Sequence, residues 1–330
     1  MSLLKEILLD QYHCLVDALD PIDDSVNAVS IPGFEWARLG VMRDGVVLLL
    51  PPDADGFAPE HDLENIWIKP RGRYNVQSST VSRVETVAVI ATKSRDPQVV
   101  ETFLDLVGML FQTGVSADPE SVRKFIENLV ALFRVLTQHG HKSTQGLWGE
   151  LLLIDQAANV ELAVSAWHAS TNDRYDFTLG HERIEVKTAT GPRIHTFAHA
   201  QLASLSGLRV SIASFVLNPS SDGCTCADMV SRILLKLPGE GLRRGFVELV
   251  VRTVGVDWRH QSRFRFDKDH ALQNLRFFDV DAVPKIHAPI PLNVRNVSYE
   301  SDLQVVADME RSSLHPRDQL HLAMCGSDYK

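Results

Sequence analysis

The chain has 330 residues, of which 45% are hydrophobic, and a formal net charge of −9. A chain of this length is expected to form two or three domains with buried cores. It has no apolar run long enough to cross a bilayer, and its N-terminus lacks the basic start and the cleavage site of a signal peptide. We therefore expect a cytoplasmic protein without a membrane partner.

Acidic residues concentrate at the start of the chain, where residues 1–70 contain thirteen acidic and four basic side chains. The rest of the chain is therefore neutral overall. A net negative charge argues against a nucleic-acid partner. Residues 229–265, however, carry eight basic side chains against three acidic ones. This segment predicts either a basic surface that binds nucleic acid or an ordinary solvated helix face.

Residues 1–115 are predicted to form an acidic N-terminal domain that is α/β or β-rich. Its predicted elements are a helix at 2–20, strands within 34–50, at 65–69 and at 84–91, and a helix at 99–111. Because its acidic side chains would repel DNA, we expect this domain to dock a partner protein or a second subunit.

Two predicted helices follow, and the second carries a glutamate on its apolar side. The first runs from Asp118 to about residue 136, and the second runs from Ser143 or Thr144 to about residue 158. The apolar stripe of the second helix consists of Leu147, Leu151, Ile154 and Ala158. Glu150 falls on the same stripe, where an ionised side chain costs free energy unless it has a partner. It is expected either to reach solvent at an edge or to face a cation.

Residues 173–187 are the most informative part of the sequence. They have the pattern of a β-hairpin with a two-residue turn at Gly180-His181, which places Asp176 opposite Glu185. One face of the hairpin is predicted to collect Arg174, Asp176, Thr178, Arg183, Glu185 and Lys187. The other face is predicted to collect Tyr175, Phe177, Leu179, Ile184 and Val186.

Two interpretations of the polar face remain open. The adjacent carboxylates of Asp176 and Glu185 repel each other unless positive charge lies between them, and a divalent metal ion would supply that charge, with Lys187 one step beyond. Alternatively, Arg174, Arg183 and Lys187 form a salt-bridged, solvated sheet surface with the two acids.

Beyond the hairpin, the predicted elements are a short helix at 198–205, a strand at 208–217, a helix from about 226 and a helix at 241–254, and the chain then becomes β-rich. His195 and His199 would share one face of a helix. The chain contains no phosphate-binding glycine loop and no serine-hydrolase elbow, so we expect no ATPase of its own.

The order of these features resembles the PD-(D/E)XK nuclease superfamily. Four stretches, Gly146–Ile154, Tyr175–Phe177, Ile184–Thr188 and Gln201-Leu202, resemble more closely a bacterial family of PD-(D/E)XK proteins that are encoded near restriction–modification and other phage-defence genes. One departure is Tyr175, which stands where the superfamily name places proline.

The resemblance implies an α/β (α+β) fold with a restriction-endonuclease-like core, in which helices flank a mixed central sheet. We expect the nuclease core at 116–255 and a β-rich C-terminal extension at 256–330. The implied function is a Mg²⁺-dependent DNA endonuclease of a restriction or phage-defence system, with Mn²⁺ as a substitute ion. Its partners would be DNA, a second copy in a homodimer and other proteins of that system. The alternative is a catalytically silent accessory or adaptor subunit that retains the fold.

The resemblance also assigns roles to individual residues. Asp176 and Glu185 would bind the metal ion, with the backbone carbonyl of Val186 as a further ligand. Glu150 would bind it directly, through water or at a second metal ion. Lys187 would orient the attacking water or neutralise developing charge. The expected catalytic residues are thus Glu150, Asp176, Glu185 and Lys187, and Gln201 and His195 are the expected contacts to substrate phosphate.

Overall fold

The computed structural model describes residues 3–18, 25–53, 58–78, 82–135, 144–168, 174–202, 206–254 and 264–325. The helices in these ranges are α1 (Leu3–Asp17), α2 (Pro97–Phe111), α3 (Pro119–Val135), α4 (Thr144–Gln156), α5 (Val160–Ala166), α6 (Cys226–Lys236), α7 (Glu240–Val254), α8 (Lys268–Gln273) and α9 (Gln319–Met324). The strands are β1 (Val26–Ile31), β2 (Phe34–Met42), β3 (Gly45–Leu50), β4 (His61–Asp62), β5 (Ile66–Gln77), β6 (Ser82–Thr92), β7 (Phe177–Leu179), β8 (Glu182–Ala189), β9 (Ile194–Ala198), β10 (Arg209–Val216), β11 (Pro219–Cys224), β12 (Arg276–Asp279) and β13 (Ser298–Asp302).

The chain forms two compact units, and each takes two segments of the sequence. The first comprises Met1–His141 with Pro238–Gln261, and the second comprises Lys142–Leu237 with Ser262–Lys330. Among the described residues, no helix combines the length and the apolar character that a membrane span requires.

The first unit contains a ring of five strands. In the order β1-β2-β3-β6-β5 each strand pairs with the next, and β5 pairs in parallel with β1 to close the ring, while β4 adds to β5. Closing a sheet on itself leaves fewer exposed strand edges. Small and β-branched side chains fill part of its core, including Val26, Val47 and Val89. The unit is β-rich at its centre, as the sequence predicts, and carries helices as well.

The second unit is built on a mixed four-stranded sheet in the order β12-β10-β8-β7. Strands β8 and β10 run parallel, whereas the pairs β10–β12 and β7–β8 are antiparallel. Strands β9 and β13 form a separate antiparallel pair. Helix α4 packs on β8 and on helix α6. This architecture confirms the predicted mixed sheet with flanking helices.

The compact units do not follow the three predicted segments 1–115, 116–255 and 256–330. Helices α3 and α7, which fall within the predicted nuclease core, belong to the first unit, where α7 packs against α2 and α3. The segment after residue 262 belongs to the second unit, since β12 joins its main sheet and β13 pairs with β9. Helical periodicity identified α7 correctly but carries no information about the elements on which it packs.

The basic segment 229–265 is divided between the two units. Arg232 and Lys236 lie on α6 of the second unit, and both pair with the buried Asp155. Arg243 and Arg244 lie on α7 of the first unit. Arg259 and Arg263 lie outside the described residues. The segment is therefore not one helix face within a single unit.

Candidate active site

Helix α4 brings Glu150 close to the central sheet because the preceding residue has no side chain. A Cβ atom on Gly149 would lie 2.5 Å from Thr188 Cγ2 and 3.3 Å from Val186 Cγ1, both on β8. Gln145 Nε2 also donates a hydrogen bond to Thr188 Oγ1 at 3.3 Å. Glu150 is consequently buried, with 2% of its surface exposed.

The far end of α4 is fixed by an ion-pair cluster. Asp155 is buried and pairs with Lys236 at 2.6 Å and with Lys268 at 2.7 Å. Burial alone would raise the pKa of Asp155, but the hydrogen bonds and charges of the two lysines outweigh burial, and the pKa is lowered. An ionised Asp155 therefore ties α4 to α6 and to α8, which limits how far Glu150 can move relative to the sheet.

The hairpin has the predicted turn, but its first strand is shorter than predicted. Gly180 adopts φ 51°, and Leu179 pairs with Glu182. The β7–β8 ladder extends to the pair Phe177–Ile184 and does not include Asp176. Beyond this ladder, Asp176 contacts β8 through its side chain and not through its backbone: Asp176 Oδ2 accepts a hydrogen bond from Val186 N at 2.7 Å.

The predicted face for Tyr175 is wrong. Tyr175 packs in a core cluster with Ile212 and Phe197, and Ile212 is the parallel-sheet partner of Glu185. Tyr175 therefore lies on the same side of the sheet as Glu185, not on the opposite side. The reason is that β7 begins at Phe177, so the alternation of side chains does not extend back to residue 175. Burial raises the pKa of the Tyr175 phenol.

Three possible metal ligands converge beside α4. One ligand atom from each of Glu150, His168 and Asp176 lies within 4.8 Å of the other two, and no other such group of three occurs in the described part of the chain. Glu150 and Asp176 are 2% and 4% exposed. The structure thus brings together Glu150 and Asp176, as predicted, and adds His168. Glu185 is not a member of this group.

His168 and its neighbour Trp167 were not identified from the sequence. Trp167 Nε1 donates to Glu150 Oε2 at 2.8 Å, and His168 Nε2 lies 3.1 Å from the same oxygen. The His168 backbone N–H donates to the carbonyl oxygen of Asp176 at 2.9 Å. Both residues follow the short helix α5, where neither periodicity nor ligand spacing marks them as part of a site.

Glu185 forms a second polar group with Lys187 and Gln201. Its Oε1 lies 2.8 Å from Lys187 Nζ and accepts a hydrogen bond from Gln201 Nε2 at 2.7 Å. Lys187 Nζ also lies 5.2 Å from the centroid of the Phe197 ring. Gln201 therefore lies next to Glu185. It belongs to a 3-10 turn at His199–Leu202, and residues 203–205 of the helix predicted at 198–205 lie outside the described residues.

The second oxygen of Glu185 has no hydrogen-bond partner among the described residues, although it is buried. Buried polar atoms in folded proteins are nearly always satisfied, and an unsatisfied carboxylate oxygen is costly. A cation bound at this oxygen would remove that cost. Separately, the carboxylates of Glu150 and Asp176 and the imidazole of His168 beside α4 form a set of donors that fits a divalent metal ion.

The spacing of His195 and His199 predicts that both lie on one face of a helix. The structure does not have this helix. His195 lies on strand β9, is 3% exposed, and its Nε2 is 2.8 Å from Ser214 Oγ. Burial first, and then the charges of Lys187 and Arg193, lower the pKa of His195 to about 4. A buried, neutral imidazole is a structural contact in this arrangement, and the predicted contact to a phosphate does not follow from its placement.

A mixed α+β unit with buried acids between a helix and the edge of a mixed sheet is the arrangement of a nuclease-like fold. Residues 56–304 match the family described as "Putative PD-(D/E)XK family member, (DUF4420)". Because this match spans well over half of the chain, the protein belongs to that family. No curated protein and no solved structure matches the chain.

Proposed function

We propose that the protein is a metal-dependent endonuclease that hydrolyses phosphodiester bonds in DNA. The observation that carries this proposal is the placement of Glu150 and Asp176, two buried carboxylates whose ligand atoms lie within 4.8 Å of each other beside the strand of Glu185 and Lys187. Family membership supports the nuclease class. DNA as the substrate, a homodimer, protein partners and a place in restriction or phage defence rest on the resemblance that the sequence carries.

Asp176 and Glu150 would hold the cation, with the free oxygen of Glu185 and the backbone carbonyl of Val186 as further ligands. A bound Mg²⁺ or Mn²⁺ would lower the pKa of a water molecule and polarise a phosphoryl oxygen. Asp176 is already oriented by the N–H of Val186, and Glu150 by the indole of Trp167, so both carboxylates are held before any ion binds.

In this proposal Lys187 would act on the phosphate. Its ammonium group pairs with Glu185 at 2.8 Å, and its side chain is 20% exposed, so it keeps contact with solvent. Charge increases on the phosphoryl oxygens as the attacking oxygen approaches, and a fixed ammonium group stabilises it. Gln201 donates to the same Glu185 oxygen, Oε1, that pairs with Lys187, and these two contacts leave the other oxygen free.

The experiment is a nicking assay on supercoiled plasmid DNA with Mg²⁺, with Mn²⁺ and with EDTA. Asp176→Ala and Lys187→Ala are compared with Glu300→Ala, a control on an exposed acid of the same unit. We expect wild type and the control to nick DNA only with metal, and both site variants to lose at least about 10²-fold in rate. Equal activity in all four proteins, or none in wild type, would favour the silent adaptor.

A further inference from the structure

We infer that His168 is a nitrogen ligand of the bound cation and that it makes the site prefer Mn²⁺ over Mg²⁺. The inference rests on the proposed metal-dependent function. It adds one metal ligand, His168, and a preference of the site for one ion over another. His168 contributes the imidazole of the three-residue group with Glu150 and Asp176. Its side chain is 17% exposed, whereas that of Glu150 is 2% exposed, so the imidazole lies on the side from which solvent reaches the group.

The distance between His168 and Glu150 suits two ligands of one ion. Their nearest atoms, His168 Nε2 and Glu150 Oε2, are 3.1 Å apart. Two atoms bound at about 2.2 Å to the same ion are about 3.1 Å apart when they occupy neighbouring corners of an octahedron. A hydrogen bond gives a similar distance, so the distance alone does not decide between the two roles.

The hydrogen bonding of Glu150 favours the role of a ligand. Trp167 Nε1 already donates to Glu150 Oε2 at 2.8 Å, so this buried oxygen has a donor without the imidazole. His168 Nε2 can then present a lone pair to a cation in the tautomer that carries the ring proton on Nδ1. The chain thus places a permanent donor, the indole, and an adaptable group, the imidazole, at the same oxygen.

The backbone of His168 holds its imidazole at the site. The residue has φ 44°, a left-handed conformation that only a few per cent of residues other than glycine adopt. Its N–H donates to the carbonyl oxygen of Asp176 at 2.9 Å, so its main chain is tied to a second member of the group. The left-handed backbone and the hydrogen bond to Asp176 together fix the position of His168 beside the other two ligands.

An imidazole changes which ion the site selects. Mg²⁺ prefers oxygen ligands and gives up its water reluctantly, whereas first-row transition ions accept imidazole nitrogen readily. A site with only Glu150, Asp176 and Glu185 would suit Mg²⁺. Adding His168 raises the affinity for Mn²⁺ more than that for Mg²⁺.

The test measures ion binding and not activity. Mn²⁺ and Mg²⁺ affinities are measured by calorimetry for wild type, His168→Asn and the exposed-histidine control His287→Asn. Electron spin-echo spectra of the Mn²⁺ complexes report nitrogen bound to the ion, and labelling of histidine with ¹⁵N shows, without any substitution, whether that nitrogen belongs to a histidine. We expect a histidine nitrogen signal in wild type and in His287→Asn, and its loss in His168→Asn.

We also expect His168→Asn to weaken Mn²⁺ binding by about tenfold or more and Mg²⁺ binding by less. If His168→Asn does not fold, the ¹⁵N label in wild type still decides, because His168 is the histidine of the three-residue group; loss of that nitrogen signal in Asp176→Asn would show that the ion lies in this group. Tight Mn²⁺ binding without any histidine nitrogen signal overturns the inference and leaves the proposed function intact. No Mn²⁺ binding by wild type overturns both.

Discussion

The carboxylate of Asp176 accepts a hydrogen bond from the backbone N–H of Val186 at 2.7 Å, just where the ladder between β7 and β8 ends. This bond attaches Asp176 to the strand that also carries Glu185 and Lys187. The site is thereby assembled from one continuous part of the chain, between α4 and β8.

Asp176→Asn and Asp176→Ala should have different effects on folding and the same effect on metal binding. Asn can still accept the hydrogen bond from Val186, so the thermal midpoint should change little. Ala leaves that buried N–H without its acceptor, which costs about 1–3 kcal/mol. Both variants remove a charged ligand and should bind Mn²⁺ at least about tenfold more weakly in calorimetry. Unchanged Mn²⁺ affinity in Asp176→Asn would show that Asp176 is not a ligand.

Lys187→Met should separate catalysis from metal binding. The substitution removes the ammonium group beside Glu185 and keeps most of the side-chain volume against Phe197. We expect kcat for plasmid nicking to fall by about 10²-fold or more while Mn²⁺ affinity stays the same or rises, because a competing positive charge is lost. The matched control is Lys285→Met, which removes the lysine that pairs with the exposed Asp281. An undiminished kcat in Lys187→Met would exclude Lys187 from the chemistry.

Gly149→Ala should push α4 away from β8, and Thr188→Ser should restore the contact. The new Cβ would lie 2.5 Å from Thr188 Cγ2, an overlap that costs about 1–3 kcal/mol. Serine lacks that methyl group and keeps the hydroxyl that accepts from Gln145. Thermal midpoint and nicking rate should fall in Gly149→Ala and recover largely in the double variant. Equal defects in the single and double variants would mean that this contact does not set the position of Glu150.

His195 should make the free energy of unfolding fall as the pH is lowered from 7 to 5. Its folded pKa is about 4, below the ordinary value of 6.5, so in this range the unfolded state binds a proton that the folded state does not. Stability therefore falls as the pH falls, by about 2 kcal/mol between pH 7 and pH 5. Urea unfolding of wild type and His195→Gln at both pH values measures the difference. His195→Gln should lose less stability, and an identical loss would show that His195 is not the group responsible.

The sequence predicted the parts of the site that are local in the chain. The position of Glu150 followed from helical periodicity, and the turn at Gly180-His181 followed from its length and its glycine. Both depend on interactions within a few residues, which a single sequence records. The family resemblance then suggested a chemical role for the acids, and that role stays a prediction.

The remaining features depend on contacts that are distant in the sequence. Asp176 lies outside strand β7, and its side chain accepts a hydrogen bond from Val186. Tyr175 lies outside the strand as well, on the same side of the sheet as Glu185. His168 joined the site only through packing of Trp167 and His168 against α4. Helix α7 was assigned to the nuclease core from its place in the sequence, whereas it packs in the first unit. Periodicity describes one element at a time and does not identify its neighbours.

The central claim is that Glu150 and Asp176 hold a divalent cation next to Glu185. The most direct measurement is the anomalous scattering of a crystal of the protein soaked in Mn²⁺. We predict an anomalous peak within bonding distance of oxygens from Glu150 and Asp176. Manganese bound only elsewhere on the protein, with no peak at Asp176 in a crystal whose site is open to solvent, would contradict it.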